Sequence, residues 1–177
     1  MIRRTVADYA RQPWKNGKGV TVEMLRVEVA GQMLLRLSMA TVAEDGPFSI
    51  FDGIERNLTV IDGPGFRLEG AGIALDCAPL VPVAFAGDVP VAAVGTGGIP
   101  SRDFNVMTAR GLPRPVVTVE RRADLAAEGL LALFALQAGV VDGQAVGLHD
   151  LCLSESPSRV DGLFLAVRVF GLPPGAI

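Results

Sequence analysis

The hydrophobic and polar positions of this chain fall mostly into short runs of period two. Val20–Val29 alternates, with a phase change at Met24-Leu25 that a β-bulge explains. Residues 34–42, 57–61, 66–68, 81–85, 116–119 and 163–170 also predict strands, being rich in Val, Leu and Phe between turn residues. The turns are marked by Asp-Gly pairs at Asp45-Gly46, Asp52-Gly53, Asp62-Gly63, Asp142-Gly143 and Asp161-Gly162, because Asp tolerates and Gly favours positive φ. Residues 130–137 form an apolar run without a clear helical face and are assigned to a strand. Residues 123–128 are the helical prediction, limited by Gly129. Many short strands with frequent turns predict an all-β sandwich or barrel. Two strand-glycine-strand units, residues 58–68 and 133–146, echo each other. Duplication and ordinary hairpins both explain the echo.

Three polar clusters interrupt the apolar pattern. Pro13-Trp14-Lys15-Asn16-Gly17-Lys18-Gly19 holds the only tryptophan and mixes it with cations, an amide and glycines. In Leu35-Arg36-Leu37-Ser38-Met39-Ala40, strand alternation puts Arg36, Ser38 and Ala40 on one face and Leu35, Leu37 and Met39 on the other. Both faces are partly apolar, so both are expected to be enclosed. An enclosed arginine needs an anionic partner, from the protein or from a ligand. A turn at Asp45-Gly46-Pro47-Phe48-Ser49 leads into Phe51-Asp52-Gly53-Ile54-Glu55-Arg56, where Asp52 and Glu55 compete for Arg56. In the third cluster, Arg102-Asp103-Phe104-Asn105-Val106-Met107, alternation sets Asp103, Asn105 and Met107 opposite Phe104 and Val106. Polar residues spaced by two on a strand are a common lining for a cavity. Blander roles stand beside these: Trp14, Phe48, Phe51 and Phe104 as core, Ser38 and Ser49 as turn or backbone caps, Asp103 as a turn residue.

Composition narrows the function classes. A chain of 177 residues, half hydrophobic and a fifth charged, suits one large domain or two small fused ones with a sizeable core. A net charge of −3 offers no basic footprint for nucleic acid. Cys77 and Cys152 are too few for a disulfide framework and read as reduced, structural thiols. Residues 1–8 have no apolar core of a signal peptide, and the apolar stretch 130–141 is too short to span a bilayer, so a cytoplasmic protein without membrane partners is expected. Gly95-Thr96-Gly97-Gly98 lacks the spacing of a phosphate loop. His149-Asp150 beside Ser154 makes a poor triad, since neighbouring strand residues point to opposite faces.

In their order and spacing the clusters resemble the HutD/Ves family. The carrying motifs are Pro13-Trp14-Lys15-Asn16-Gly17-x-Gly19, Arg36-Leu37-Ser38-x-Ala40, Asp45-Gly46-Pro47-Phe48-Ser49-x-Phe51-x-Gly53-Ile54-x-Arg56 and Asp103-Phe104-Asn105-Val106-Met107. The likeness runs over residues 6–110 and is general beyond them. Two positions depart from it: Lys18, where the family more often has glycine, and Leu35, where tryptophan is common. The resemblance implies a cupin-like double β-barrel (bicupin) with short helical segments, as one compact domain of two halves, approximately 1–110 and 111–177. Many cupins hold a metal with several histidines. This chain has one, His149, so no metal and no cofactor are expected.

The family is associated with bacterial histidine utilisation and with binding of a pathway metabolite of the formylglutamate or urocanate type. The Ves branch is linked to cold or stress response. The leading expectation is therefore a non-enzymatic, regulatory binding protein. Arg36 and Arg56 would hold a ligand carboxylate, Asn16, Ser38, Ser49, Asp103 and Asn105 would supply polar contacts, and Trp14 an apolar wall. The expected partner is a small carboxylate metabolite, with a homodimer also admitted. The alternatives are a metal-free isomerase or hydrolase with Asp103 as general acid or base, and a stress-response structural protein whose clusters only pack. The last predicts no concave polar pocket joining the three segments.

Overall fold

In a computed structural model of the chain, residues 1–14 and 19–177 are described. The chain opens with β1 (Ile2–Arg4) and a single 3-10 turn, Val6–Asp8. It continues through β2 (Ala10–Pro13), β3 (Val20–Val29), β4 (Gln32–Val42), β5 (Gly46–Pro47), β6 (Ile54–Asp62), β7 (Phe66–Gly70), β8 (Ile73–Cys77), β9 (Val83–Ala86), β10 (Ala92–Val94) and β11 (Ser101–Ala109). After Arg110 come β12 (Val116–Leu125), β13 (Leu130–Ala135), β14 (Gly139–Val141), β15 (Gln144–Val146), β16 (Leu151–Ser154) and β17 (Ser158–Val169). Among the described residues no helix is long and apolar enough to cross a membrane.

Contacts divide the chain into two compact units, Ala10–Arg110 and Met1–Tyr9 with Gly111–Ile177. In the first, a six-stranded sheet runs β2-β3-β4-β11-β6-β9 and a four-stranded sheet runs β5-β10-β7-β8. Val42, Leu58, Val60 and Phe85 of the larger sheet share a buried cluster with Phe66, Leu68, Cys77 and Ala93 of the smaller. The two central strands, β4 and β11, are buried on both faces, as the mixed pattern around Arg36 implies. The bulge expected in β3 is present. Register shifts between Glu23 and Leu25, and Met24 and Leu25 are both buried.

The second unit is a seven-stranded sheet of β1-β16-β13-β17-β14-β15, with β12 also paired to β17. Leu130–Ala135 is buried at every residue, which is why its sequence shows no amphipathic face. The sequence reading grouped the first residues with the half that follows them. Instead β1 pairs with β16, Ile2 opposite Leu153. Arg3 donates to Asp150 Oδ2 through Nε at 3.0 Å and Nη2 at 2.6 Å, and the Tyr9 hydroxyl donates to the His149 carbonyl at 2.6 Å.

The helix predicted over residues 123–128 is absent. Ala123, Asp124 and Leu125 complete β12, opposite Val160, Arg159 and Ser158 of β17. Helix propensity separates ordinary residues by only tenths of a kcal/mol, whereas burying Leu125 contributes about 1.5–3 kcal/mol. Six residues are also too few to sustain a helix unsupported.

Candidate functional site

Strand pairing in the first unit gathers the polar clusters on one face of the six-stranded sheet. Along β11, Asp103, Asn105 and Met107 lie opposite Ala40, Ser38 and Arg36 of β4. On the other side they lie opposite Val60, Leu58 and Arg56 of β6. Glu23 of β3 faces Ser38, and Gln12 of β2 faces Thr21. Directly opposed residues share a face, so the period-two spacing in each strand brings Arg36, Ser38, Arg56, Asp103 and Asn105 into one stripe, interspersed with Ala40, Leu58, Val60 and Met107. Arg36 and Arg56 flank Met107, two strand spacings apart, or about 10 Å between backbones.

The stripe forms one wall of a cavity of about 570 Å³. Pro13 and Trp14 of the first cluster line it, as do Arg36, Ser38, Phe48, Ser49, Phe51 and Arg56 of the second and Asp103, Asn105 and Met107 of the third. The volume is in the range that encloses a small metabolite. Asn16 lies outside the described residues, as does Lys18. Trp14 is half-buried, and its indole N–H donates to Thr21 Oγ1 at 2.9 Å. Its backbone N–H donates to the Gly19 carbonyl at 2.8 Å. A Cβ on Gly19 would stand 2.9 Å from three ring carbons, so the absence of a side chain there lets the indole lie flat.

The two arginines are held differently. Arg36 is ion-paired: Nε donates to Glu23 Oε2 at 2.5 Å, and Nη2 to Gln12 Oε1 at 3.4 Å. Arg56 takes neither of its sequence neighbours. Asp52 is exposed, and Glu55 pairs at 2.7 Å with Arg110, which also holds Asp88. The Arg56 guanidinium instead lies against the rings of Phe48 and Phe85, both at 5.0 Å, and of Phe51 at 5.7 Å. Nη2 donates to Asn105 Oδ1 at 2.7 Å and Nη1 to the Ser49 carbonyl at 3.4 Å, while Nε has no partner among the described residues. Phe48 and Phe51 thus pack and also shape the site. Ser49 is exposed, and its backbone carbonyl rather than its hydroxyl makes this contact.

Asn105 connects Arg56 to Asp103. Its Nδ2 donates to Asp103 Oδ1 while its Oδ1 accepts from Arg56, so the amide is oriented from both ends. Asp103 is a strand residue with no exposure, not a turn residue, and its Oδ2 has no partner among the described residues. Burial pushes its carboxyl up to about 7, against the pull of Arg56 and of the Asn105 hydrogen bond. Burial also lowers Arg56 to about 10, Asp103 raising it and Arg36 lowering it, so the guanidinium stays charged at neutral pH.

Sequence reasoning missed Glu23, Gln12, Thr21 and Phe85. Thr21 and Glu23 occupy alternate positions of β3, a usable signal, but only the pairing register shows which strand they face. His149, Asp150 and Ser154 form no triad. His149 stacks on Phe134 with ring centroids 5.3 Å apart, Asp150 is committed to Arg3 and the Gly147 N–H, and the Ser154 hydroxyl donates to the Ser156 carbonyl at 2.9 Å. Cupin metal centres draw on clustered imidazoles and carboxylates. Among the described residues the cavity wall offers two guanidiniums, the amides of Gln12 and Asn105, three hydroxyls and one carboxylate, Asp103, and these do not fit such a centre. Among the described residues no three His, Cys, Asp or Glu side chains converge elsewhere.

Comparisons with known proteins agree with this architecture. The fold is cupin-like: a Cupin 2 conserved barrel domain protein from Leptotrichia buccalis superposes with a TM-score of 0.51 over 84% of this chain and 88% of its own, at 14% identity. HutD from Pseudomonas fluorescens SBW25 (formate condition) superposes with a TM-score of 0.85 over 97% of this chain and 99% of its own, at 29% identity. A conserved protein of unknown function from Pseudomonas aeruginosa PAO1 gives 0.81 at 31% identity, covering 97% and 100%. An uncharacterized 21.2 kDa protein in the hutC 3′ region of Pseudomonas putida is 42% identical over 107 residues, which span 58% of this chain and 55% of that protein. The HutD family model matches residues 6–162, and the chain belongs to the HutD family.

Proposed function

We propose that this chain is a metal-free binding protein for a small carboxylate metabolite, acting as a regulator of histidine utilisation. Formylglutamate and urocanate are the candidate ligands. The observation that carries the reading is Arg56, a buried guanidinium that lines the cavity with its Nε unpartnered and hydrogen-bonds only neutral oxygens among the described residues. Burying a cation that makes no direct ion pair is costly, Asp103 offsets part of that cost across Asn105, and a ligand carboxylate on the guanidinium would offset more. Membership of the HutD family, and the hutC 3′ region named for the Pseudomonas putida relative, support the histidine pathway over a stress role.

Thermal-shift titration with formylglutamate, urocanate and unrelated carboxylates tests the reading. Selective stabilisation by a pathway metabolite is expected, through linkage between binding and folding. Arg56→Lys keeps the charge but loses the planar donors, and is expected to weaken binding roughly tenfold or more. Equal, negligible shifts across the panel would sink the proposal.

A second reading, a metal-free isomerase or hydrolase, is favoured by Asp103, whose carboxyl sits near 7 and lines the same cavity. It requires turnover of the same panel that is lost in Asp103→Asn. Binding without turnover leaves the binding protein.

A further inference from the structure

We propose that anion binding in this cavity is coupled to uptake of one proton, held by Asp103 Oδ2 at the buried end of the Asp103–Asn105–Arg56 hydrogen-bond chain. The inference rests on the carboxylate-binding reading and adds how the site's charge is regulated.

Charge placement carries it. Glu23 is ion-paired with Arg36, so those two offset each other. Among the described residues, the charges that remain on the wall are Arg56 and Asp103, joined through the Asn105 amide. Arg56 and the Asn105 amide are what favour the ionised form of Asp103, and burial opposes it. Oδ2 accepts no hydrogen bond from any described residue. A carboxylate docked on Arg56 cancels that attraction and puts a second anion in the cavity that already holds Asp103. Asp103 is fully buried in the free site. It lies within β11, paired on one side to Ala40 and on the other to Val60. Protonation relieves the repulsion between the two anions, the proton coming from solvent and residing on Oδ2, which has no other partner among the described residues. The carboxylate docked on Arg56 then takes the place of the Asp103 charge, so the sum over Arg56, Asp103 and that carboxylate is unchanged. The new O–H also supplies a donor where the free site has only an acceptor.

Among the described residues, the charged and titratable groups that act on Asp103 are Arg56 on β6 and the buried thiol of Cys77 on β8, while Arg36 on β4 acts on Arg56 and is paired with Glu23 on β3. The thiol is pushed up to about 12 by burial and by Asp103, and Arg56 titrates near 10, so neither changes state between pH 6 and 8.5.

Isothermal titration with formylglutamate, whose carboxylates titrate well below this window, is run from about pH 6 to 8.5 in buffers of different ionisation enthalpy. Uptake approaching one proton per ligand is expected at the alkaline end, falling toward zero at the acid end. Kd should rise roughly tenfold per pH unit above about 7. In Asp103→Asn, checked for folding by its melting transition, uptake disappears and Kd becomes flat with pH. Wild-type binding without proton uptake and with pH-independent affinity overturns the coupling alone. Uptake that persists in Asp103→Asn assigns the proton elsewhere and also overturns it. No binding at any pH overturns the carboxylate reading, and the coupling with it.

Discussion

Asp103 is a carboxylate with one oxygen bonded to Asn105 and the other without a partner among the described residues, and this has a cost to folding. Its native pKa is raised from 3.8 to about 7, so between those values the folded state keeps a proton that the unfolded chain releases. Stability contributed by the neutral form is complete below pH 4 and is lost as pH rises toward 7. Asp103→Asn removes this dependence. Its melting temperature should exceed that of the wild type at pH 8, by the equivalent of a few kcal/mol at most, and the gap should close toward pH 4. Gly19 is the second residue with a sharp expectation. Gly19→Ala would bring a methyl group to 2.9 Å from the Trp14 ring, so the indole must tilt and its bond to Thr21 weaken. The emission maximum of Trp14, the only tryptophan, should shift, with a stability loss of about 1 kcal/mol. Arg36, Ser38, Asp103 and Asn105 could be assigned to faces from alternation alone. Glu23 could not be matched to Arg36, thirteen residues away, without the β3–β4 register and its bulge.

Elements were legible where one face is buried and the other is not. Val20–Val29 shows both its strand character and its bulge in the spacing of its apolar residues. Residues 123–128 misled because their local composition favours helix while their pairing partner, β17, lies more than thirty residues downstream. The passage from β6 into β7 depends on backbone chemistry rather than on hydrophobic pattern. β6 belongs to the six-stranded sheet and β7 to the four-stranded one, and Gly65 turns the chain between them at φ +90°. A Cβ there would stand 2.2 Å from the Cys77 carbonyl oxygen. Gly65→Ala should therefore cost more than about 1 kcal/mol, read as a lowered urea midpoint, because it meets both an unfavourable φ and a backbone clash.

At the scale of the whole molecule, the polar face belongs to Ala10–Arg110, and Met1–Tyr9 belongs with Gly111–Ile177. Asp150 secures that second grouping by accepting from two nitrogens of Arg3 and from the Gly147 N–H. Asp150→Ala should lower stability by about 1–3 kcal/mol in denaturant titration, yet leave carboxylate affinity measured well below the melting transition unchanged. The amino-acid sequence by itself determined the all-β character, the faces of the central strands and the three polar clusters. Alternation, turn residues and motif order are written in neighbouring positions, so they can be read along the chain. Tertiary structure alone decided that β1 joins β16, that Arg36 meets Glu23 rather than a ligand first, and that Arg56 settles among Phe48, Phe51 and Phe85 beside Asn105. Each of these depends on which strands pair and in what register, and that is set by burial of distant side chains together rather than by any local preference.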